Sequence, residues 1–87
     1  VKKINRVLNN NDTQFNVQNN LRVFREYRGM KQHEVCDRMK RFDEHFDVSL
    51  LSRMENGICL PTPFQIVKLA EIYTCNPSEL LYSDFYN

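Results

Sequence analysis

The sequence predicts an all-α fold of five short helices, and three observations carry that expectation. Apolar residues recur at helical spacing in successive segments. A residue that can cap a helix stands before most of these segments. Two glycines and three prolines in 87 residues leave too few sharp turns for a many-stranded β fold. The chain has room for one small domain. At 41% hydrophobic and 26% charged residues it has the balance of a globular chain rather than a disordered one.

Residues 1–16 are polar, rich in Asn and without sustained period, so they are expected to be a flexible N-terminal arm. The domain is expected over 17–87. Val17, Leu21 and Phe24 recur at i, i+4, i+7 and place a first helix at about 17–28. Asn16 is its expected N-cap and Gly29 its left-handed stop. Val35, Met39, Phe42 and Phe46 continue a single apolar stripe, which predicts a second helix from Gln32 to about His45. Asp47 can cap a short third helix, Val48 to Glu55, with Leu51 and Met54 inward and Gly57 beyond its end. Thr62-Pro63 is an N-cap followed by proline at the first helical position. Ile66, Leu69, Ala70 and Tyr73 then give the fourth helix its buried face. Asn76-Pro77-Ser78-Glu79 repeats the start signal, with Glu79 placed as in a capping box, and Leu80, Leu81 and Tyr82 complete a fifth helix.

Net charge is only +1 and names no partner, but its distribution is uneven. Seven basic side chains stand against Asp12 and Glu26 in residues 1–31, whereas residues 32–60 and 61–87 are each net acidic. A basic front could orient the molecule on a polyanion; an ordinary solvated helix face has the same composition. Cys36, Cys59 and Cys75 are odd in number and fit no zinc spacing, so reduced thiols and no metal site are expected. No apolar run approaches a membrane span, and the first residues show no apolar core of a secretory signal. A cytoplasmic location is the expectation. His33 and His45 lie in polar surroundings without a nucleophile pattern, and no glycine loop can cradle phosphates. No enzyme activity, catalytic residue, cofactor or small-molecule ligand is implied.

Two short helices between a basic helix and a C-terminal helical pair suggest a helix-turn-helix. The residues sharpen this. Leu21-Arg22-x-x-Arg25, Gly29-Met30-Lys31-Gln32, Val35-Cys36-x-x-Met39, Leu51-Ser52-Arg53-Met54-Glu55-Asn56-Gly57, Pro61-Thr62, Ile66-Val67-Lys68-Leu69-Ala70 and Ser78-Glu79-Leu80 follow in order. Over residues 21–80 the chain resembles the phage-repressor-like (lambda-repressor, Xre-type) helix-turn-helix family of DNA-binding domains. The resemblance implies a compact five-helix domain whose second and third helices form the helix-turn-helix.

It also implies roles for single residues. Arg25 and Glu55 resemble the family's internal ion pair, which ties the first helix to the end of the third. Gln32 would reach a DNA phosphate, and Asn56 beside Gly57 would grip the next one. Val48, Ser49 and Arg53 fall where base edges are contacted, with Ser52 on the same outward face. Arg53 suits guanine, Ser49 several bases and Val48 a thymine methyl; phosphate contact is the other role open to Arg53.

Three features depart from the family pattern. Lys40-Arg41-Phe42-Asp43-Glu44-His45 replaces a tight turn and lengthens the motif by about five residues. Lys40 and Arg41 could add backbone contacts, but Asp43, Glu44 and Asp47 would repel phosphate if they faced the same way. The loop Ile58-Cys59-Leu60 carries no basic residue. Lys31 stands where a hydroxyl cap is usual, and Leu50 is apolar on a face that is often polar.

The expected function is a sequence-specific, double-stranded DNA-binding transcriptional regulator of bacterial or phage type, with repression the expected mode. A homodimer on a two-fold related site is the expected form, because one domain offers few base contacts. The apolar stretch from Leu80 to Tyr86 suits either a dimer interface or the chain's own core. Lys2, Lys3 and Arg6 suit either a DNA-contacting arm or a plain disordered terminus. The alternative function is a protein-interaction module on the same fold, such as an antitoxin or anti-repressor component.

Overall fold

The computed structural model describes residues 19–81. Its five helices are α1 (Leu21–Tyr27), α2 (Gln32–Met39), α3 (Val48–Glu55), α4 (Pro63–Tyr73) and α5 (Pro77–Leu81), and there is no strand among the described residues. This is the all-α helix-turn-helix architecture expected. The expected cap Asn16, Val17 and Tyr82 lie outside the described residues, as do the arm over 1–16 and the tail beyond Leu81.

Local chemistry sets most helix ends. The Asp47 carboxylate accepts the Leu50 backbone N–H at 2.8 Å and starts α3. Thr62 and Gln65 form a reciprocal capping box at the start of α4, with bonds of 3.1 and 2.8 Å. Glu79 reaches back to the Asn76 N–H at 2.8 Å and starts α5. At α2, Glu34 accepts the Lys31 backbone N–H at 2.7 Å, which replaces the missing hydroxyl cap by half a box. Gly29 (φ 71°) and Gly57 (φ 77°) turn the chain after α1 and α3 through left-handed conformations that glycine adopts without Cβ strain. Thr74 does the same after α4 (φ 58°) without that freedom. Arg28 offsets it there, donating to the Tyr73 and Thr74 carbonyls at 2.6 and 3.1 Å.

The first helix differs from the expectation at its start. Asn19 Oδ1 accepts the Leu21 N–H at 2.9 Å, and the Asn20 N–H donates to the Leu80 carbonyl at 2.9 Å. The entry to α1 is therefore stitched to α5, and the helix begins at Leu21.

The second helix ends at Met39, six residues before the expected end at His45. Beyond it the backbone tightens: Phe42 N–H donates to the Met39 carbonyl three residues back, and Phe46 N–H to that of Asp43. Asp43 also accepts the His45 backbone N–H at 3.0 Å, a local turn bond that competes with helix. Lys40 Nζ donates to the Phe46 carbonyl at 2.8 Å and braces the elbow across its mouth. The apolar stripe misled because its last two members lie beyond the end of the helix. Phe46 is fully buried, but Phe42 stays 41% exposed and lies edge-on against Phe64 of α4.

One core unites the helices. Leu21, Val35, Met39, Phe46, Leu51, Met54, Leu69, Tyr73 and Leu80 are all buried. Leu50 packs against this cluster from its edge, which explains an apolar residue on that side of α3. Cys36 is buried, whereas Cys59 and Cys75 are half-buried; all three are free thiols. Burial pushes the Cys36 thiol up to about 11 and raises that of Cys75. The Tyr73 hydroxyl is buried without a hydrogen-bond partner, and its acidity is suppressed by burial in the same way. No helix among the described residues is long and apolar enough to cross a membrane.

Candidate nucleic-acid interface

The buried carboxylate of Glu55, at the C-terminal end of α3, organises the site. Its side chain is 0% exposed, so its charge requires close partners. Arg25 of α1 supplies a two-pronged bond, Nε to Oε2 at 2.6 Å and Nη2 to Oε1 at 3.1 Å. The same guanidinium donates to the Met30 carbonyl at 2.9 Å and so holds the α1–α2 turn as well. The hydrogen bond to Glu55 raises the Arg25 pKa, partly offset by burial. Glu26 approaches Arg25 only at 4.0 Å and is largely solvated.

Two further side chains converge on Glu55 Oε1. Gln32, the first residue of α2, donates its amide N–H at 3.0 Å. Arg22 of α1 approaches with Nε at 3.5 Å and donates from Nη2 to Asn56 Oδ1 at 3.2 Å. The Asn56 amide then turns its nitrogen to the Ser52 carbonyl at 2.9 Å. The two residues expected to touch phosphate, Gln32 and Asn56, are thus gathered at one joint together with the expected ion pair. Arg22 was missed as a member. Its signal was available: it stands three residues before Arg25, which places both on one side of α1.

The outward side of α3 is open. Val48, Ser49 and Arg53 are exposed, and Ser52 is half-buried. Arg53 Nη1 donates to Ser49 Oγ at 2.7 Å across one helical turn, so the two polar candidates for base contact form one unit. Residues 40–46 do not cover this surface.

The elbow instead docks on α4. Phe42 and Phe64 meet with ring centroids 6.4 Å apart, and Lys68 Nζ lies 4.6 Å from the Phe42 centroid. Gln65 donates to Asp43 at 3.2 Å. Arg41 lines an open depression with Arg38, Phe42, Glu71 and Ile72, a set that includes no α3 residue. Lys40 is exposed but engaged with Phe46. The acidic residues of the elbow have internal tasks: Asp43 bonds His45 and Gln65, and Asp47 caps α3. Glu44 lies 3.6 Å from the His45 ring, both side chains being well exposed.

Among the described residues no group of three or more His, Cys, Asp or Glu side chains is placed to hold a metal. No match to a curated protein or to a solved structure was found. The model of a helix-turn-helix domain family matches residues 19–81, the span from the Asn19 stitch to the end of α5. With this match over most of its length, and with α2 and α3 locked at the Glu55 joint, the chain belongs to the helix-turn-helix domain family of DNA-binding modules.

Proposed function

We propose that the chain is a sequence-specific regulator of transcription, of bacterial or phage type, that represses by occupying an operator in double-stranded DNA. The carrying observation is the open side of α3: Val48, Ser49 and Arg53 are exposed on a helix whose far end is anchored through Glu55. A rigid helix of this width fits the major groove, and its first residues enter deepest. In this reading Val48, Ser49, Ser52 and Arg53 face base edges. Gln32 and Asn56 meet the phosphates beside them, and Lys40 and Arg41 add charge at the elbow. Phosphate contacts set register, and the α3 side chains discriminate between sequences. A homodimer on a two-fold related site supplies enough base contacts for selectivity.

Selection of bound sequences from random duplexes tests this directly. A defined half-site is expected, and Arg53→Ala on the selected duplex should lose preference at one base position. A uniform loss across all sequences would instead make Arg53 a backbone contact. Failure of the protein to bind any duplex at low salt would refute the proposal.

A protein-interaction module on the same fold, such as an antitoxin or anti-repressor component, is the second reading. Ile58, Leu60, Phe64 and Val67 favour it, being exposed apolar residues on the loop after α3 and on α4, with Leu60 at 63%. Salt separates the two readings. A phosphate-driven complex weakens by orders of magnitude as salt rises; a chain with only protein partners leaves DNA unbound at low salt.

A further inference from the structure

Resting on the DNA-binding reading above, we propose that Arg22 is the cation that binds a backbone phosphate at the α1–α3 joint, sharing that phosphate with Gln32. The Glu55 carboxylate has one negative charge, and Arg25 already matches it with two short bonds from a largely buried guanidinium. The charge of Arg22 is therefore surplus to neutralising Glu55. Its side chain is 51% exposed, and its approach to Glu55 is the longer one, 3.5 Å. A guanidinium has five N–H donors. Those not directed at Glu55 and Asn56 remain for a ligand on the solvent side.

The location selects the ligand. Arg22 and Gln32 both approach Glu55 Oε1, at 3.5 and 3.0 Å, so the two side chains meet at one carboxylate oxygen. Gln32 keeps a second amide hydrogen for an acceptor. A charged fork beside a neutral donor suits a tetrahedral anion with two free oxygens, which each phosphodiester of a duplex presents. Arg22 also holds the Asn56 amide by its oxygen and directs the nitrogen to Ser52. It is thus a positioning residue for Asn56 as well as a phosphate contact. Glu55 restricts the swing of the Arg22 fork, so less side-chain freedom is lost when DNA arrives.

The test uses the whole chain and the duplex selected above, with affinity measured by fluorescence anisotropy over a salt series. Arg22→Gln should weaken binding about tenfold and lower the log–log salt slope by about one, while the thermal midpoint moves little because Arg25 still pairs Glu55. Arg22→Lys should keep the slope and recover part of the affinity. Gln32→Ala should weaken binding without changing the slope, and its loss should shrink when combined with Arg22→Gln, because both act on one phosphate. An unchanged slope in Arg22→Gln would overturn the proposal, even with affinity lost, because Arg22 would then be structural only. Fully additive losses in the double variant would overturn the shared phosphate. If the wild-type chain binds no duplex, the DNA reading itself falls and this proposal with it; tight wild-type binding with an unaltered Arg22→Gln slope sinks this proposal alone.

Discussion

The two ends of α3 are held by different physics. At its C-terminal end a buried carboxylate takes hydrogen bonds from Arg25 and Gln32, with the Arg22 charge nearby. These bonds are directional, and each is tied to a residue type. At its N-terminal end the elbow over 40–46 rests on Phe46 in the core, on the Phe42–Phe64 edge contact and on Lys68 over the rings. Those contacts are mostly apolar and tolerate other side chains of similar size. The first end fixes orientation, whereas the second supplies burial.

The largest expected effect breaks the rigid end. Arg25→Met leaves the Glu55 charge buried with weaker partners and should cost about 3–5 kcal/mol, measured by urea unfolding. A loss that size in a domain this small would leave much of the chain unfolded. Unchanged unfolding would remove the ion pair from the account of the fold.

The soft end should respond to volume rather than to charge. Phe46→Ala should cost roughly 3–4 kcal/mol, while Phe46→Leu should cost far less. Equal losses from the two would show that the elbow needs a specific shape, contrary to the comparison.

Smaller effects sharpen it. Asp47→Ala removes the only side-chain cap of α3 and should cost about 1 kcal/mol. Because the C-terminal anchor remains, DNA affinity should fall more than global stability suggests, through fraying of the first turn around Val48 and Ser49. Phe42→Ala should cost about 1 kcal/mol or less, since the ring is half exposed and loses one edge contact and one cation contact.

The last expected effect concerns pH. The folded chain holds the Cys36 thiol near 11, above its ordinary value near 9. An acid with a raised pKa favours its protonated form when folded, so its contribution is fully present below about pH 9 and is lost as pH rises towards 11. Cys36→Ala should flatten that alkaline decline in thermal midpoint. The buried Tyr73 keeps a share of the decline, since its own ionisation is likewise raised by burial. A decline equally steep in Cys36→Ala would place it elsewhere.

The difference between the two ends also explains what was legible in the chain. Arg25, Gln32, Glu55, Asn56 and Gly57 are polar or conformationally special residues in a recognisable order, and the structure gathers them at one joint. The caps at Asp47, Thr62 and Glu79 were equally readable, because each acts within three or four residues of itself. The elbow was not. Val35, Met39, Phe42 and Phe46 keep a helical period, yet the helix stops at Met39. Periodicity reports which residues seek burial, not whether they achieve it in one helix. Phe42 found its partner on α4, and no local signal specifies a contact between residues 22 positions apart.

Sequence alone determined the helical class, the order of the five helices and most of their caps. Those features depend on short-range bonds and on residue types with few alternative uses. Tertiary structure decided where α2 ends, that the elbow leans on α4 and leaves the outer side of α3 open, and that Arg22 joins the Glu55 cluster. Each of these depends on which surfaces meet across the core, and a linear pattern carries no distance between segments far apart along it.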